Sequence, residues 1–478
     1  MKGALEQGWG EKWRVQAEVA RAWLNRRKDE VHFAGIGGVG MAGLAAHLND
    51  AGFTVTGCDE VEGPLISWLR ERGIPCAIGH DPGHLSGVTG WVVRSPAVPL
   101  DHPELVAARE RGIPVIERGA VLPVWMERYE ESIAVAGTHG KTTTCCMVYH
   151  VLQAVGREPA YAIGGQPYGQ AGAAGGFGRD CFLAEADESD GSLALYRPRW
   201  SVITHTELDH VDFFPDADSL MKVYRELVFL TKEGVVCPAG DEGVLGKDAA
   251  GARVVTFSVE GEGDLTARDV VALKEGGQRF TLMVEGRPQG EVRLGVPGRH
   301  NVANALASLG AIYLMGCDVE AASEALGSFR LPRRRFETVV EARGIRMISD
   351  YAHHPTEIKA LLEQARQLTS GRVIGVFQPH RYSRTKRFAE GFVEALDGVD
   401  ELLLVPVYSA SERFVEGGAI EDLGRAFERA GRGGVQVCEG LDAAWIRLHN
   451  LAREGDVVLL IGAGDVDVIG SWAKEAWL

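Results

Sequence analysis

A chain of 478 residues exceeds what one hydrophobic core organises, and its length implies about three domains, which excludes a single small module. Its 45 % hydrophobic and 24 % charged residues supply ordinary globular cores and exclude a mostly disordered chain. The 50 Lys and Arg stand against 66 Asp and Glu, a net charge of -16, so nucleic acid or an anionic membrane would be repelled by the mean field and any anionic ligand must be held locally.

Trp9, Trp13, Val15, Val19, Ala20 and Trp23 recur at a rough helical spacing and predict a helix within an N-terminal extension, residues 1–30. From Val31 short apolar runs alternate with helical segments: VHFAG, then Met41 to Ala51, then FTVTG, with strand candidates at Trp91 to Val93 and Ile113 to Ile116. This is βαβ alternation, and residues 31–128 are assigned to a first domain. A second, residues 129–332, opens with Ile133 to Ala136, a glycine loop, and a helix whose Val148, Val151, Leu152 and Val155 share one face. Strand candidates follow at Cys181 to Ala184 and Trp200 to Thr204, and GQAGAAGGFG at 169–178 reads as a mobile loop. Between Asp264 and Val296, RFTLMVEG and EVRLGVPG alternate among glycine turns, predicting a small antiparallel insert. The cluster Pro332 to Arg335 reads as a linker into a third series, residues 333–478: IRMISD, a helix Glu357 to Leu368, RVIGVF, a helix Lys386 to Leu396, ELLLVPV, GVQVC, a helix around Trp445, and VVLLIGAG. The predicted fold class is α/β, three units in tandem.

The eight cysteines form no CxxC pair and read as reduced thiols. No apolar stretch of signal-peptide length opens the chain, and the longest C-terminal apolar run, Val457 to Ile461, is far below the ~18 residues of a membrane span. The expectation is a soluble, cytoplasmic protein, monomeric or homodimeric, with no nucleic-acid or membrane partner.

Gly137-Thr138-His139-Gly140-Lys141-Thr142-Thr143 lies between an apolar strand and an amphipathic helix. A phosphate site needs that setting: backbone N–H groups and the helix N-terminus face the anion, Lys adds a point charge, and a Thr hydroxyl reaches Mg²⁺. The strict phosphate-loop spelling would require glycine where Val135 stands. Downstream, Glu185-Ala186-Asp187-Glu188-Ser189-Asp190 ends the strand CFLA; carboxylates there can hold a phosphate-bridging metal, the alternative being a solvated acidic loop. His205 to Asp212, HTELDHVD, follows the strand SVIT. Its histidines read equally well as manganese ligands, substrate donors or core residues.

Earlier, Gly35-Ile36-Gly37-Gly38-Val39-Gly40 spells GxGxxG after a strand, with Asp59 downstream. Glycines there admit a pyrophosphate, and nothing in the motif separates NAD from a uridine diphosphate. In the third series, Asp350-Tyr351-Ala352-His353-His354 ends one strand and Gln378-Pro379-His380-Arg381-Tyr382-Ser383-Arg384 ends the next. Arg381 and Arg384 are spaced to clamp a carboxylate or phosphate if the segment is turned.

Seven stretches in chain order, GIGGVGM, AGTHGKTTT, AEADESDGS, ELDHVD, PGRHNVANALA, SDYAHHPTEI and FQPHRYSRT, resemble the Mur ligases, the ATP-dependent amino-acid-adding enzymes of peptidoglycan precursor synthesis. The resemblance implies a Rossmann-like domain for a UDP sugar, a central phosphate-loop ATPase domain and a Rossmann-like C-terminal domain for the amino acid. The implied reaction joins L-alanine to the carboxylate of UDP-N-acetylmuramate, with ATP and Mg²⁺ (or Mn²⁺) as cofactors, in cell-wall synthesis. By the same resemblance Gly35, Gly37, Gly38, Gly40, Asp59 and Ser95 serve the UDP sugar, and Gly137 to Thr143 serve ATP. Thr142, Glu185 and His210 would hold the metal, His300, Asn301 and Asn304 would lie near adenine, and Asp350 near the ribose. Tyr351, His353, Arg381 and Arg384 match positions around the amino acid, and Lys141, His210, His353 and Arg381 are the catalytic candidates. The readings left open are the tripeptide-recycling ligase of the same family, which normally lacks the HRYSRT spelling, an NAD-dependent dehydrogenase, and a switch NTPase.

Overall fold

Parallel strands can be joined only through a crossover, so alternation of apolar runs and helices dictates parallel sheets. In the computed structural model the described residues are 9–26, 30–88, 90–169, 175–211, 213–245, 251–274, 276–410 and 412–478. The first sheet contains β1 (Glu30–Ala34), β2 (Thr54–Asp59), β3 (Cys76–Ile78), β4 (Trp91–Arg94) and β5 (Val115–Glu117), in the order β3-β2-β1-β4-β5 with every pairing parallel. The chain reverses its direction of winding across β1, so a crevice opens where β1 and β4 end side by side.

The second sheet has ten strands: β6 (Ser132–Ala136), β7 (Pro159–Ala162), β8 (Gly175–Gly176), β9 (Cys181–Glu185), β10 (Trp200–Ile203), β11 (Gly234–Pro238), β12 (Arg253–Ser258), β13 (Leu265–Ala272), β14 (Gln278–Val284) and β15 (Arg287–Leu294). Their order is β15-β14-β13-β12-β11-β10-β6-β9-β7-β8. The central strands β6 and β10 are buried throughout, as a sheet covered on both faces requires. The antiparallel strands expected between Asp264 and Val296 are β13 to β15, turning at Glu285 and Gly286, both at positive φ. They continue the large sheet, because β13 pairs in parallel with β12 through Phe257 and Leu265. Of the glycine-rich stretch expected to be mobile, residues 170–174 lie outside the described residues, while Gly175 and Gly176 form β8 against Tyr161 and Ala162.

The third sheet holds β16 (Glu337–Ala342), β17 (Ile345–Asp350), β18 (Val373–Phe377), β19 (Glu401–Leu404), β20 (Val435–Val437) and β21 (Val457–Ile461), in the order β16-β17-β21-β18-β19-β20. Two sequence expectations change here. β17 and β18, consecutive in the sequence reading, are separated by β21, which pairs with both. The helix expected over Lys386 to Leu396 is two short ones, Tyr382–Arg387 and Ala389–Ala395; Phe388 breaks the run and sets its ring edge-on to His354 at 4.7 Å. No helix among the described residues is long and apolar enough to cross a membrane.

The chain divides into two compact units, one of Met1–Asp209 with Phe213–Arg330 and one of His210–Asp212 with Leu331–Leu478. Within the first unit one buried cluster runs from Val31 and Phe33 through Trp13, Ala120 and Trp125 to Ala134 and Phe182. The N-terminal helix Trp9–Leu24 joins its two sheets. Trp13, Ala17, Ala20 and Leu24 form its buried stripe, the Trp13 indole N–H donates to the Asp190 carbonyl at 2.9 Å, and Arg21 grips Glu127 through Nε at 2.9 Å and a terminal nitrogen at 2.6 Å. Gly119 permits the contact, since a Cβ there would sit 2.9 Å from both the Trp13 ring and Asp190 Oδ2.

Truncating this anchor tests whether the helix is part of the fold. With Trp13 only 2 % exposed, Trp13→Ala is expected to cost ~3–5 kcal/mol, measured by urea denaturation monitored through circular dichroism. A loss below ~1 kcal/mol would mean that the helix merely decorates the surface.

Candidate functional site

The phosphate loop leaves β6 at Gly137 (φ 135) and enters the helix Lys141–Ala154 through Gly140 (φ 79), with no side-chain cap on the helix start. First-turn N–H groups there are available to an anion. Gly137 is required sterically: a Cβ would strike Thr204 Oγ1 and lie 2.9 Å from the His205 nitrogen. The loop is also stitched to the segment after β10. Thr138 N–H donates to His205 O at 2.8 Å, the Thr138 hydroxyl donates to Glu207 O at 2.9 Å, and His139 Nε2 lies 3.1 Å from Glu207 Oε2.

Lys141 Nζ donates to Gly137 O at 2.6 Å and to Glu188 Oε1 and Oε2 at 2.8 and 2.9 Å. Burial works against its charge, but Glu188 and Asp187 outweigh that and raise the ammonium above its usual range. Glu188 is 0 % exposed, so the acidic run after β9 is not a solvated loop. Glu185 accepts the Thr142 hydroxyl at 2.9 Å and the Gly164 N–H at 2.6 Å, while burial pushes its carboxyl upward against the pull of Lys141. Thr142 and Glu185 thus present hydroxyl and carboxylate oxygens together at the first turn of the helix, a donor set that suits a hard divalent ion. His210, the remaining expected ligand, follows buried Asp209 in a left-handed turn (φ 52).

The helix Arg299–Leu314 brings Asn304 against the loop, since a Cβ on Gly140 would lie 2.6 Å from Asn304 Oδ1. Asn304 donates to Asn301 Oδ1 at 3.2 Å, and Asn301 to Pro297 O at 2.6 Å. Asn301, 2 % exposed, therefore braces Asn304, whereas His300 is exposed.

In the first sheet, Gly35 (φ 81) and Ile36 donate to Cys58 O at 2.9 and 3.0 Å, and Gly37 N–H donates to Asp59 Oδ2 at 2.8 Å. Asp59 holds the glycine turn itself. Ser95, at the end of β4, closes against Gly35, where a Cβ would meet it at 2.8 Å. Gly38 caps the helix Val39–Asp50, and a Cβ on Gly40 would approach the Arg118 guanidinium at 3.1 Å. Arg118 escaped the sequence reading because it stands alone between Glu117 and Gly119, outside any motif.

In the third sheet the two expected loops do meet, across the end of β21. Gly462 and Gly464 make room: a Cβ on Gly462 would lie 2.6 Å from Gln378 O, and one on Gly464 2.6 Å from the Tyr408 ring. His353 and His380 rings are 5.7 Å apart, Tyr351 and His353 5.5 Å. Arg384, buried, reaches His380 Nδ1 at 3.2 Å. Arg381 is half-buried and precedes the helix Tyr382–Arg387 with φ 66. Asp350 is spent on backbone, accepting Phe336 and Ala352 N–H at 2.7 and 2.8 Å; burial raises its carboxyl, with Arg335 opposing.

Sequence profiles of the Mur ligase family match the chain in three blocks: the catalytic domain over residues 30–130, the middle domain over 135–312 and the glutamate ligase domain over 334–464. The UDP-N-acetylmuramate–L-alanine ligase of Kineococcus radiotolerans is 42 % identical over 456 residues, 93 % of this chain and 95 % of the relative. That of Desulfosudis oleivorans is 38 % identical over 447 residues, 92 % and 96 % of the two chains. Among solved structures, the UDP-N-acetylmuramate–alanine ligase of Thermotoga maritima superposes with TM-score 0.80 at 30 % identity, covering 94 % of this chain and 98 % of that one. A murein peptide ligase of Psychrobacter arcticus, at 24 % identity and TM-score 0.71 over 94 % and 98 %, shares the fold.

The buried ion pair at the phosphate loop generates its own test. Glu188→Ala leaves the Lys141 ammonium uncompensated and is expected to cost ~3–5 kcal/mol of stability, while Lys141→Met combined with Glu188→Leu recovers most of it. Denaturant unfolding of the single and double variants measures this, and additive losses would show the two groups to be uncoupled.

Proposed function

Since the chain belongs to the Mur ligase family, we propose that it joins L-alanine to the lactyl carboxylate of UDP-N-acetylmuramate, consuming ATP, in peptidoglycan precursor synthesis. The observation that carries this reading is the convergence of Lys141, Thr142 and Glu185 on one phosphate loop in a chain 42 % identical along nearly its whole length to such a ligase. Residues 31–128 are assigned the UDP sugar, 129–332 ATP and 333–478 the amino acid, with 1–30 as an extension. A reaction on such nucleotide substrates belongs in the cytoplasm.

A carboxylate is a poor electrophile, so it must be activated before an amine can displace anything from it. The muramyl carboxylate oxygen attacks the γ-phosphorus, the bond to the β-phosphate oxygen breaks, and ADP leaves. The alanine nitrogen then attacks the acyl carbon of the acyl phosphate, inorganic phosphate departs, and the nitrogen gives up a proton. Catalysis of the first step is positioning and charge neutralisation. Lys141 exchanges Glu188 for phosphate oxygens, Gly137 and Gly140 let the backbone approach, and Asn304 faces the nucleotide with Asn301 behind it. Thr142 and Glu185 would hold Mg²⁺, or Mn²⁺ through the same oxygens, which when bound neutralises charge on the transferred phosphoryl group.

Arg381 and Arg384 fit the alanine carboxylate, since guanidinium forks match its two oxygens. His353 is assigned the amine proton. Its Nδ1 lies 2.9 Å from the Tyr351 carbonyl and must carry hydrogen to make that bond, so the neutral ring presents Nε2 as the acceptor. Asp59, Ser95 and the glycines of the first turn suit the UDP sugar, with Arg118 added as a counter-charge for its pyrophosphate.

ADP release should require UDP-N-acetylmuramate and L-alanine together; release indifferent to both would make the protein a simple NTPase. Lys141→Ala is expected to lower kcat at least ~100-fold while UDP-sugar binding, followed by calorimetry, persists. For Arg381→Ala the loss should concentrate in the KM for alanine, about tenfold or more, and an unchanged alanine dependence would place the clamp elsewhere.

A further inference from the structure

The first sheet buries a second cluster of chemically competent side chains that the ligase reaction does not use. His32 comes from β1, Cys58 from β2, His80 and His84 from the segment after β3, and Glu104 from the first turn of the helix Pro103–Glu110. Glu104 and Cys58 are fully buried and His32 nearly so. Glu104 Oε1 lies 3.3 Å from His32 Nε2 and 3.3 Å from His84 Nδ1, and its Oε2 lies 3.1 Å from His80 Nδ1. Cys58 Sγ is 3.3 Å from Glu104 Oε1, 3.5 Å from His32 Nε2 and 2.9 Å from His80 Nδ1. Among the described residues no lysine or arginine forms an ion pair with Glu104. A carboxylate removed from water needs hydrogen-bond donors or a cation, and every side chain within reach of Glu104 here is itself a metal-ligating type.

We propose that His32, Cys58, His84 and Glu104 bind one zinc ion. Tetrahedral zinc, with bonds of about 2.0 Å to nitrogen and oxygen and about 2.3 Å to sulfur, spaces its ligand atoms roughly 3.3–3.6 Å apart. The His32–Glu104, His84–Glu104, Cys58–Glu104 and Cys58–His32 separations of 3.3, 3.3, 3.3 and 3.5 Å match those edges, and the four ligand atoms all lie within 4.8 Å of one another. Two nitrogens, a sulfur and an oxygen form a borderline-soft set, suited to zinc and unsuited to magnesium or calcium. Charge also closes: a thiolate and a carboxylate neutralise the dication, so the buried site carries no net charge.

The surrounding groups do what outer partners of metal ligands do. The Thr56 hydroxyl oxygen lies 2.9 Å from His32 Nδ1, which leaves Nε2 aimed into the cluster. His80 lies against the second oxygen of Glu104 and against the sulfur. His84, the most exposed of the four with a quarter of its side chain in solvent, is the entry side; its Nδ1 accepts the Asp81 N–H at 3.3 Å, a long bond it exchanges for the metal. Loading releases the Cys58 thiol proton to solvent as the S–Zn bond forms. The ion fastens the end of β2 whose Cys58 carbonyl receives Gly35 and Ile36 N–H, so its role is to brace the glycine turn. The four ligands come from four separate segments with no linear spacing, which hid the site from the sequence.

Full-length protein stripped with a chelator is expected to take up one equivalent of Zn²⁺, and Co²⁺ in its place should give tetrahedral d–d bands and a thiolate-to-cobalt charge-transfer band. Cys58→Ser should abolish that band and weaken zinc binding at least ~100-fold, and His84→Ala, at a partly exposed position that tolerates truncation, at least ~10-fold. Because the binding readout is independent of catalysis, its result stands apart from that of the ADP-release assay. No stoichiometric uptake, or uptake and cobalt spectra unchanged in both variants, overturns the proposal; if Cys58→Ser does not fold, His84→Ala alone decides it.

Discussion

The phosphate loop is organised around an ion pair that has no water on its acidic side. Glu188 is completely buried, and Lys141 holds both its oxygens while donating back to the Gly137 carbonyl of the same loop. A buried carboxylate this close to an ammonium is stable only if nearly every remaining lone pair and proton is satisfied, which fixes the loop, the acidic segment and the start of the helix Lys141–Ala154 as one rigid assembly. Glu188 occupies the place of an anion. Under the proposed reaction an incoming phosphate would meet a lysine already buried and charged, so that binding would exchange one oxyanion partner for another and spare the cost of burying a cation anew.

That assembly is reached from the first sheet by close approach of backbone. Gly119 lets Trp13 and Asp190 come together, Gly175 packs on Gly43 with a notional Cβ at 2.6 Å from its Cα, and His47 Nε2 lies 2.8 Å from the Tyr161 carbonyl. Burial lowers His47 to about 4, so it is neutral in ordinary buffers, and its Nε2 carries the hydrogen given to that carbonyl. Gly119 and Gly175 thus serve close crossings between the first two sheets, a use distinct from that of the glycines in the turns after β1 and β6. The net charge of -16 has little to do with either.

Much of this was legible in linear order, and the remainder was hidden for identifiable reasons. The strand before Gly137 and the helix after Lys141 were visible because a continuous apolar run and a 3.6-residue period need only local sequence. The insertion of β21 between β17 and β18 was not, since strand order is decided by which crossovers pack and leaves no mark in spacing. Nothing in the spelling of Glu185 to Asp190, read as carboxylates for a metal with a solvated loop as the alternative, sets Glu188 apart; only its distance to Lys141 reveals a buried partner. Arg118 and Glu104 stand outside any motif, and the roles proposed for them rest on residues brought alongside by folding. The break at Phe388 interrupts a good helical period where the ring lies edge-on to His354, a contact that linear spacing does not show.

The third sheet shows how such folding turns spacing into chemistry. Arg381 and Arg384 were paired by a periodicity argument, yet Arg381 is not helical: with φ 66 and ψ 142 it occupies a region favoured by glycine, at a cost of about 1–3 kcal/mol. The surroundings over-determine it. Its N–H donates to Tyr408 O at 2.8 Å, its carbonyl accepts the Thr385 hydroxyl at 2.7 Å, and the following two N–H groups converge on Glu412. Gln378, just upstream, is pinned by Asp465 at 2.6 Å and by the Val466 N–H at 3.1 Å, contacts that depend on the two glycines ending β21. These bonds on both sides of its peptide unit hold the backbone in that conformation. Arg384, from the same turn, is buried against His380, so the two guanidinium groups that the sequence spaces three residues apart start from backbone of different conformation.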